Sequence, residues 1–470
     1  MAVVAVQLGQ CGNQLGEEFF DSLCREAQNA RPALRTAIQR TYFSESVLAL
    51  GGGDAGSADR ATNRDAPWCA RAVLVDTEPR VVGRCLDGES EAASRSLWGY
   101  SRASTFWRQG GAGNNWAFGF HHHGPALEEE VLDRIRREVE RCDRLDGFLA
   151  FHSLAGGTGS GLGSYVLRLL RDAFPSTTLA TMAVWPFESG EVSVQSYNAV
   201  LSMSAAYEHA DMVLLCENER YLDICRNALR EPHPSLSSLN RAICGNVVHA
   251  LLPCRSPAAL GAPACLLPSL ASHLCAHPSY RLVTSRAVPQ VARGAEAFVS
   301  DSWLALQRRL VQMCDHGTLV DRLPAGGAGT GQASSQGGMS SSGGTALAEQ
   351  AVSRHTGPSR SVASAACLWG TGAIEAPVET LRQLPLWRLG LDPLQVHADV
   401  HHVGGLERSI GLLSNCQTVL PMLTAASTKA AAMLRASAYV HQYERHGVGR
   451  EEMSEALLNF IQVQHDYEQL

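Results

Sequence analysis

Short apolar runs alternate with amphipathic stretches through the first half of the chain. The apolar runs predict buried strands over residues 3–8, 71–75, 147–154, 179–185 and 212–216. Between them, apolar residues recur at helical spacing and predict helices from about 13 to 27, over 128–142 and over 160–174. Strands that alternate with helices predict an α/β fold with a mostly parallel sheet covered on both faces.

The second half of the chain has a less regular pattern. Residues 251–268 contain four prolines and predict an irregular loop. Residues 325–344 contain eight glycines, five serines and no charged residue, so we expect a flexible insert here, extending over 325–364. From about residue 416 the pattern predicts helices again, over 417–443 and 451–467.

Composition narrows the class of protein. The 470 residues carry a formal net charge of −7, which disfavours a nucleic-acid partner. Lys429 is the only lysine, so no Walker A lysine can follow a glycine loop. The 14 cysteines form no C-x-x-C pair, there is no signal-peptide pattern, and no run of 18 apolar residues occurs. We therefore expect a reduced cytoplasmic chain with buried cysteines and no membrane span.

A glycine-rich loop over 155–163 is the sharpest chemical signal. It reads AGGTGSGLG, follows a predicted strand and opens a predicted helix. Without Cβ atoms at Gly156, Gly157 and Gly159, the backbone can approach a phosphate closely, and the free N–H groups of the first helical turn point at it. Thr158 adds a hydroxyl donor. A flexible glycine loop without a ligand is the alternative, but the position between strand and helix favours phosphate binding.

Three other segments follow predicted strands or lie between elements where they can reach the same site. Gly9–Gly12 leaves the first strand, and residues 110–116 form a second glycine loop. Asp76 and Glu78 end the second strand, where carboxylates beside bound phosphates suit Mg²⁺. The alternatives are a helix N-terminal charge for Glu78 and a tight turn for the glycine loop.

These segments together resemble the signature of the tubulin and bacterial cell-division GTPase family. The matching motifs are QLGQCGNQLG at 7–16, VDTEP at 75–79, GAGNNWA at 111–117, GGTGSG at 156–161 and YNAVLS at 197–202. They occur in the family's order and at similar spacing. SNCQ at 414–417 and YVHQYERHG at 439–447 extend the resemblance over nearly the whole chain, and the segments 114–125 and 185–198 resemble a specialised, minor tubulin in particular.

The resemblance implies GTP and Mg²⁺ as cofactors, and it implies a role for individual residues. Asp76 and Glu78 would lie near Mg²⁺, and Asn218 and Asn240 would hydrogen-bond the guanine edge. The implied nucleotide-binding residues are Gln10, Cys11, Asn114, Ser153, Gly156, Gly157, Thr158, Gly159, Glu191, Asn218, Leu236 and Asn240. The chain departs from the family at Leu236, where an aromatic ring usually stacks on the base, and at Gln195, which replaces an acid on the ribose side.

The resemblance also implies three domains. These are a GTP-binding domain with a Rossmann-like parallel sheet over 1–217, an α+β intermediate domain over 218–415 and a helical C-terminal domain over 416–470. In the family, a carboxylate before the intermediate domain's helix orients the water that attacks the next subunit's nucleotide. Here residues 266–273 read LLPSLASH, and no Asp or Glu occurs between Glu231 and Glu296. His273 could replace the carboxylate, but a packing role is the stronger expectation.

The expected function is that of a GTP-binding tubulin-like cytoskeletal protein. The resemblance implies that it assists assembly or maintenance of centriole or basal-body microtubules, with weak GTPase activity at most. Its partners would be other tubulins or centriolar and basal-body proteins, met through longitudinal contacts. One alternative is an active GTPase that copolymerises into microtubules. The other is a Rossmann-type oxidoreductase, although its G-x-G-x-x-G fingerprint is broken at Cys11 and Gln14.

Overall fold

The computed structural model describes residues 2–45, 68–87, 97–190, 192–254, 265–321, 359–386 and 392–470. Its strands lie in two sheets. They are β1 (Ala2–Leu8), β2 (Phe43–Glu45), β3 (Trp68–Ala70), β4 (Ala72–Asp76), β5 (Trp98–Gly99), β6 (Thr105–Trp107), β7 (Leu145–Ser153), β8 (Thr178–Trp185), β9 (Met212–Glu217), β10 (Leu282–Val288), β11 (Ser361–Gly370), β12 (Leu394–Asp399) and β13 (Arg408–Cys416).

The helices of the described residues connect and cover these strands. They are α1 (Gly9–Asn29), α2 (Pro32–Tyr42), α3 (Pro79–Asp87), α4 (Trp116–Phe118), α5 (Gly124–Glu140), α6 (Gly163–Ala173), α7 (Gln195–His209), α8 (Asn218–Asp223), α9 (Leu236–Leu251), α10 (Leu267–Leu274), α11 (Trp303–Asp315), α12 (Leu420–Arg435), α13 (Val440–Glu444) and α14 (Arg450–Glu468). Wider π-helical turns cover Gly119–His123, Gly157–Leu162 and Ile224–Ala228.

The large sheet has ten strands in the order β12-β11-β13-β10-β9-β8-β7-β1-β4-β6. The pairs from β10 through β9, β8, β7, β1 and β4 to β6 are all parallel, which confirms the predicted α/β fold with a mostly parallel sheet. Strand β13 pairs antiparallel with both β10 and β11, whereas β11 and β12 are parallel. The short β10–β9 pairing therefore joins the mixed part of the sheet to the parallel part.

Helices cover both faces of this sheet and form separate apolar cores. On one face, Phe19 of α1 packs against Tyr42 and Phe151, with ring centroids 5.6 and 5.3 Å away. On the other face, the C-terminal helices α12 and α14 pack with α7, and Phe460 stacks on Trp185. Each helix thereby buries an apolar stripe against the sheet, which is the main source of stability in such layered folds.

The structure differs from the sequence-based expectation at a few boundaries. The predicted helix over 417–443 is wrong as one element, because Ser437 and Tyr439 adopt φ of 51° and 60° between α12 and α13. Residues 361–364, which we expected in the flexible insert, form the start of β11. The insert's residues 325–358 lie outside the described residues.

All 14 cysteines lie in described ranges and none forms a disulfide. Among the described helices, none is both long and apolar enough to cross a bilayer.

Candidate functional site

A cavity of about 380 Å³ opens at the carboxyl edge of the parallel strands. In open parallel sheets this edge is where ligands bind. The lining combines the ends of β1, β4 and β7 with the first turns of α8 and α9. The lining residues are Gln10, Cys11, Gln14, Asp76, Glu78, Val81, Ala112, Gly113, Asn114, Ser153, Gly156, Gly157, Thr158, Gly159, Val184, Asn218, Leu236, Leu239 and Asn240.

The loop after β7 forms one wall of the cavity. Gly156 is extended, with φ of −84° and ψ of 174°, and the π-helical turn begins at Gly157. A Cβ on Gly157 would lie 2.5 Å from the Ala112 carbonyl oxygen and 2.8 Å from the Asn115 nitrogen. The glycine is therefore required because the second glycine loop passes directly over it.

The second glycine loop needs its glycines for a conformational reason. Gly111 and Gly113 have φ of 57° and 55°, in the left-handed region that L side chains rarely adopt. Asn114 follows with φ of 52°, and asparagine is among the few other residues found there. His123, the last residue of the histidine triplet, supports the loop through a 2.8 Å hydrogen bond between its Nε2 and the Gly111 carbonyl.

The first strand reaches the cavity through another close approach. Gly9 has φ of 70°, which lets the chain pass from β1 into α1 without an intervening loop. A Cβ here would lie 3.0 Å from the Gly159 nitrogen. The hydroxyls of Thr77 and Thr158 are 2.6 Å apart, so the end of β4 is also tied to the loop after β7.

The acidic side of the cavity consists of Asp76 and Glu78. The Asp76 carboxylate accepts hydrogen bonds from the Thr77 and Glu78 nitrogens at 2.8 and 3.3 Å, both through Oδ1. Oδ2 is buried and has no hydrogen-bond partner in the described structure. Burial raises the pKa of Asp76 to about 6, although the two backbone hydrogen bonds oppose the shift. Glu78 is exposed at the cavity.

These two carboxylates fit the requirements of Mg²⁺ at a phosphate site. Magnesium usually takes one or two carboxylates and completes its shell with phosphate oxygens and water. The partnerless Oδ2 of Asp76 is an acceptor that such a cation or its water would satisfy. Within the described residues no cluster of three or more His, Cys, Asp or Glu could hold a metal ion.

The far end of the cavity has amide and apolar groups. Asn218 begins α8, Leu236 begins α9 and Asn240 lies one turn further along α9. Leu236 is 60% exposed and lines the cavity. An apolar side chain therefore lies where the family that the sequence resembles usually has an aromatic ring. Burial raises the pKa of Cys11 to about 12, so this residue faces the cavity as a neutral thiol.

The structure brings together every predicted site residue that it describes. Glu191 lies outside the described residues, and the assignment of the others to a nucleotide stays a prediction. Sequence reasoning missed Gln14, Val81, Val184 and Leu239, which line the cavity. A helical projection of α1 could have found Gln14, since it lies one turn after Gln10. Gln195 donates to the Phe187 carbonyl at 2.9 Å and does not line the cavity.

Two histidine-containing segments have defined places in the fold. The HHH run at His121–His123 forms a π-helical turn that continues into α5. His273 lies on α10 with its Nε2 3.1 Å from the Ser364 carbonyl oxygen of β11. That contact supports the expected packing role.

Comparison with known proteins defines the class to which this fold and site belong. Residues 2–226 match the model of the Tubulin/FtsZ family, GTPase domain. The chain belongs to the tubulin family.

The chain is also similar to individual tubulin chains. The chain is 30% identical over 486 residues to the tubulin delta chain of Macaca fascicularis and 31% identical over 497 residues to that of Canis lupus familiaris, with 99% of each chain covered. It is 34% identical over 305 residues to the tubulin beta chain of Porphyra purpurea, covering 63% of this chain and 61% of the relative. The chain is therefore similar to delta tubulins over its whole length, as the segments 114–125 and 185–198 predicted.

Proposed function

We propose that this chain binds GTP with Mg²⁺ in the cavity at the carboxyl edge of the sheet. The observation that carries the proposal is the convergence of two glycine loops, two carboxylates and five amide side chains on one cavity of about 380 Å³. That volume lies within the range of ordinary ligand pockets. Backbone N–H groups at the start of a helix provide the attraction for phosphate that a lysine supplies elsewhere.

Different groups of site residues would bind different parts of the nucleotide. Gly157, Thr158 and Gly159 would hold the phosphate chain, with Asn114 near its terminal end and Gln10 and Cys11 beside the phosphates and base. Asp76 and Glu78 would hold Mg²⁺, which neutralises phosphate charge. Asn218 and Asn240 would distinguish guanine by donating and accepting through their amides. Leu236 would provide an apolar contact with the base in place of ring stacking.

We further propose that hydrolysis by a neighbouring copy is slow or absent. The sequence around α10 offers no carboxylate, since no Asp or Glu occurs between Glu231 and Glu296. His273, the only titratable side chain on α10, contacts the Ser364 carbonyl. Without a group to orient the attacking water, the general-base contribution to catalysis is lost, typically a factor of about 10² to 10⁴.

The cellular role that we propose is assistance in assembling or maintaining centriole and basal-body microtubules, rather than service as a bulk lattice subunit. The support is the similarity to delta tubulins and the missing carboxylate on α10. The partners would be other tubulins or centriolar and basal-body proteins, contacted through the ends of the subunit. A tagged chain that decorates cytoplasmic microtubules along their whole length would contradict this role.

The direct test is to purify the protein, denature it with acid and identify the released nucleotide by ion-exchange chromatography. Close to one GTP or GDP per chain, lost after dialysis against EDTA, would support the proposal. No guanine nucleotide and no uptake of added GTP would refute it. Release of NAD instead would favour the oxidoreductase alternative. GTP turnover that disappears in His273→Ala would revive the active-GTPase alternative.

A further inference from the structure

Asn198, on the helix α7, joins the two loops that form the phosphate side of the cavity. Its side chain is fully buried. The Nδ2 group donates to the Asn114 carbonyl at 2.8 Å and to the Ala155 carbonyl at 2.7 Å. The first carbonyl belongs to the second glycine loop and the other to the loop after β7. One amide group therefore fixes the distance between these loops without lining the cavity itself.

The side-chain oxygen of Asn198 also accepts two hydrogen bonds. Oδ1 accepts from the Trp116 backbone nitrogen at 3.0 Å and from the Tyr443 hydroxyl at 2.6 Å. Both donors and both acceptor positions of the amide are thus used. Rotating the amide by 180° would place its oxygen against two carbonyl oxygens, so the network permits a single orientation.

Tyr443 brings the C-terminal helices into this network. It lies on α13, is fully buried and is separated from Asn198 by 245 residues in sequence. The neighbouring Gln442 carbonyl accepts a hydrogen bond at 3.1 Å from the side chain of Asn115, in the second glycine loop. The short helix α13 is therefore linked to the second glycine loop twice, directly through Asn115 and indirectly through Asn198.

We propose that Asn198 is a positioning residue for the phosphate-binding loops, and that Tyr443 couples the C-terminal helices to the protein's hold on the phosphates. The proposal rests on the proposed function, since the ligand whose phosphates are held is GTP. Contacts made by a partner with α13 would then alter the affinity for the nucleotide, and bound nucleotide would alter the affinity for that partner by the same factor.

The test compares two conservative substitutions in adjacent positions of the fold. Tyr443→Phe removes the hydroxyl that Asn198 accepts and keeps the ring. Tyr197→Phe is the matched control, because its hydroxyl donates to the Ala438 carbonyl at 3.1 Å and its ring packs 5.5 Å from that of Tyr443. Both variants lose one hydroxyl between α7 and the C-terminal region, but only Tyr443→Phe loses a contact with the loop network.

The first measurement is the rate of release of a fluorescent GTP analogue. We expect release from Tyr443→Phe to be about fivefold faster than from the wild type, the factor that corresponds to one typical hydrogen bond. Tyr197→Phe should release nucleotide at the wild-type rate. Asn198→Asp should have a larger effect, because a carboxylate oxygen replaces the donor that faces two carbonyls. Equal release rates for Tyr443→Phe and Tyr197→Phe would overturn the proposal.

The second measurement is amide hydrogen exchange, which separates this inference from GTP binding itself. In nucleotide-free protein, Tyr443→Phe should speed exchange in residues 110–116 and 154–158, whereas Tyr197→Phe should not. With GTP, protection of Val440–Glu444 should rise in the wild type and in Tyr197→Phe, and it should rise less in Tyr443→Phe, which keeps only the hydrogen bond between Asn115 and Gln442. If the wild type binds no GTP, the proposed function fails, and the exchange of the nucleotide-free loops still decides whether the coupling exists.

Discussion

Replacing each of the adjacent glycines Gly156 and Gly157 with alanine should change the stability of the protein by very different amounts. A Cβ at Gly157 would meet the Ala112 carbonyl oxygen at 2.5 Å, the Ala112 Cβ at 2.7 Å and the Asn115 nitrogen at 2.8 Å. All three atoms belong to one tightly positioned loop. A Cβ at Gly156 would have only the Asn114 Oδ1 nearby, at 3.8 Å, and the backbone there is ordinary extended chain.

The expected magnitudes follow from these contacts. Overpacking of a well-packed site costs about 1–3 kcal/mol, so Gly157→Ala should lower the free energy of unfolding by about that amount and displace the second glycine loop. Gly156→Ala should change stability by less than about 0.5 kcal/mol or raise it slightly, because alanine has less backbone freedom in the unfolded chain. The larger substitution Gly157→Val would clash with the same atoms.

The assay is urea denaturation of both alanine variants, followed by nucleotide analysis of each purified protein. Gly157→Ala should be less stable than the wild type and retain little guanine nucleotide. Gly156→Ala should keep wild-type stability, which makes it the matched control for the effect of a methyl group near the cavity. Wild-type stability together with full retention in Gly157→Ala would refute the packing argument.

Three further predictions concern single side chains. Leu236→Tyr should tighten GTP binding about tenfold by calorimetry, because a ring stacked on a base is worth about 1–3 kcal/mol, and unchanged affinity would place the base elsewhere. Asp76→Asn should make GTP affinity insensitive to EDTA, whereas Glu78→Gln should leave part of that sensitivity; equal EDTA sensitivity in Asp76→Asn and the wild type would remove Asp76 from the metal site. Burial lowers the pKa of His152 to about 4, below its ordinary value of 6.5. The folded state therefore takes up this proton less readily than the unfolded state, and stability is lost as the pH falls from about 6.5 toward 4. Between pH 7.5 and 5 the wild type should lose about 2 kcal/mol more than His152→Phe in urea denaturation, and equal losses would contradict the assigned shift.

Local chain properties accounted for the predictable part of the fold. Runs such as Val3, Val4, Ala5 and Val6 are buried on both faces of a central strand, so their apolar character showed directly in the sequence. The strand, glycine loop and helix around Thr158 are contiguous, and their chemistry could be inferred from a short segment. The antiparallel β13 and its place between β10 and β11 could not, because pairing between segments that lie 38 to 130 residues apart has no local signal.

The candidate site likewise contains residues that the sequence predicted and residues that it did not. Asp76 and Thr158 were predictable because each follows a strand whose carboxyl end must lie at one edge of the sheet. The role of Asn198 was not predicted, since it lies in the first turn of α7 and its partners Asn114, Ala155 and Tyr443 come from three distant segments. His123 was not assigned to the site for the same reason, because only the folded chain brings it to the Gly111 carbonyl.

Sequence alone thus determined the parallel-sheet class, the glycine loops and the groups suited to phosphate and metal, because backbone conformation and side-chain chemistry depend on each residue and its near neighbours. Tertiary structure decided how closely the loops approach one another, which polar groups are buried without a partner and how α13 is linked to the loops around the cavity. Those properties arise from packing between segments far apart in the chain, where a hydrogen bond exists only once both partners have been brought within about 3 Å.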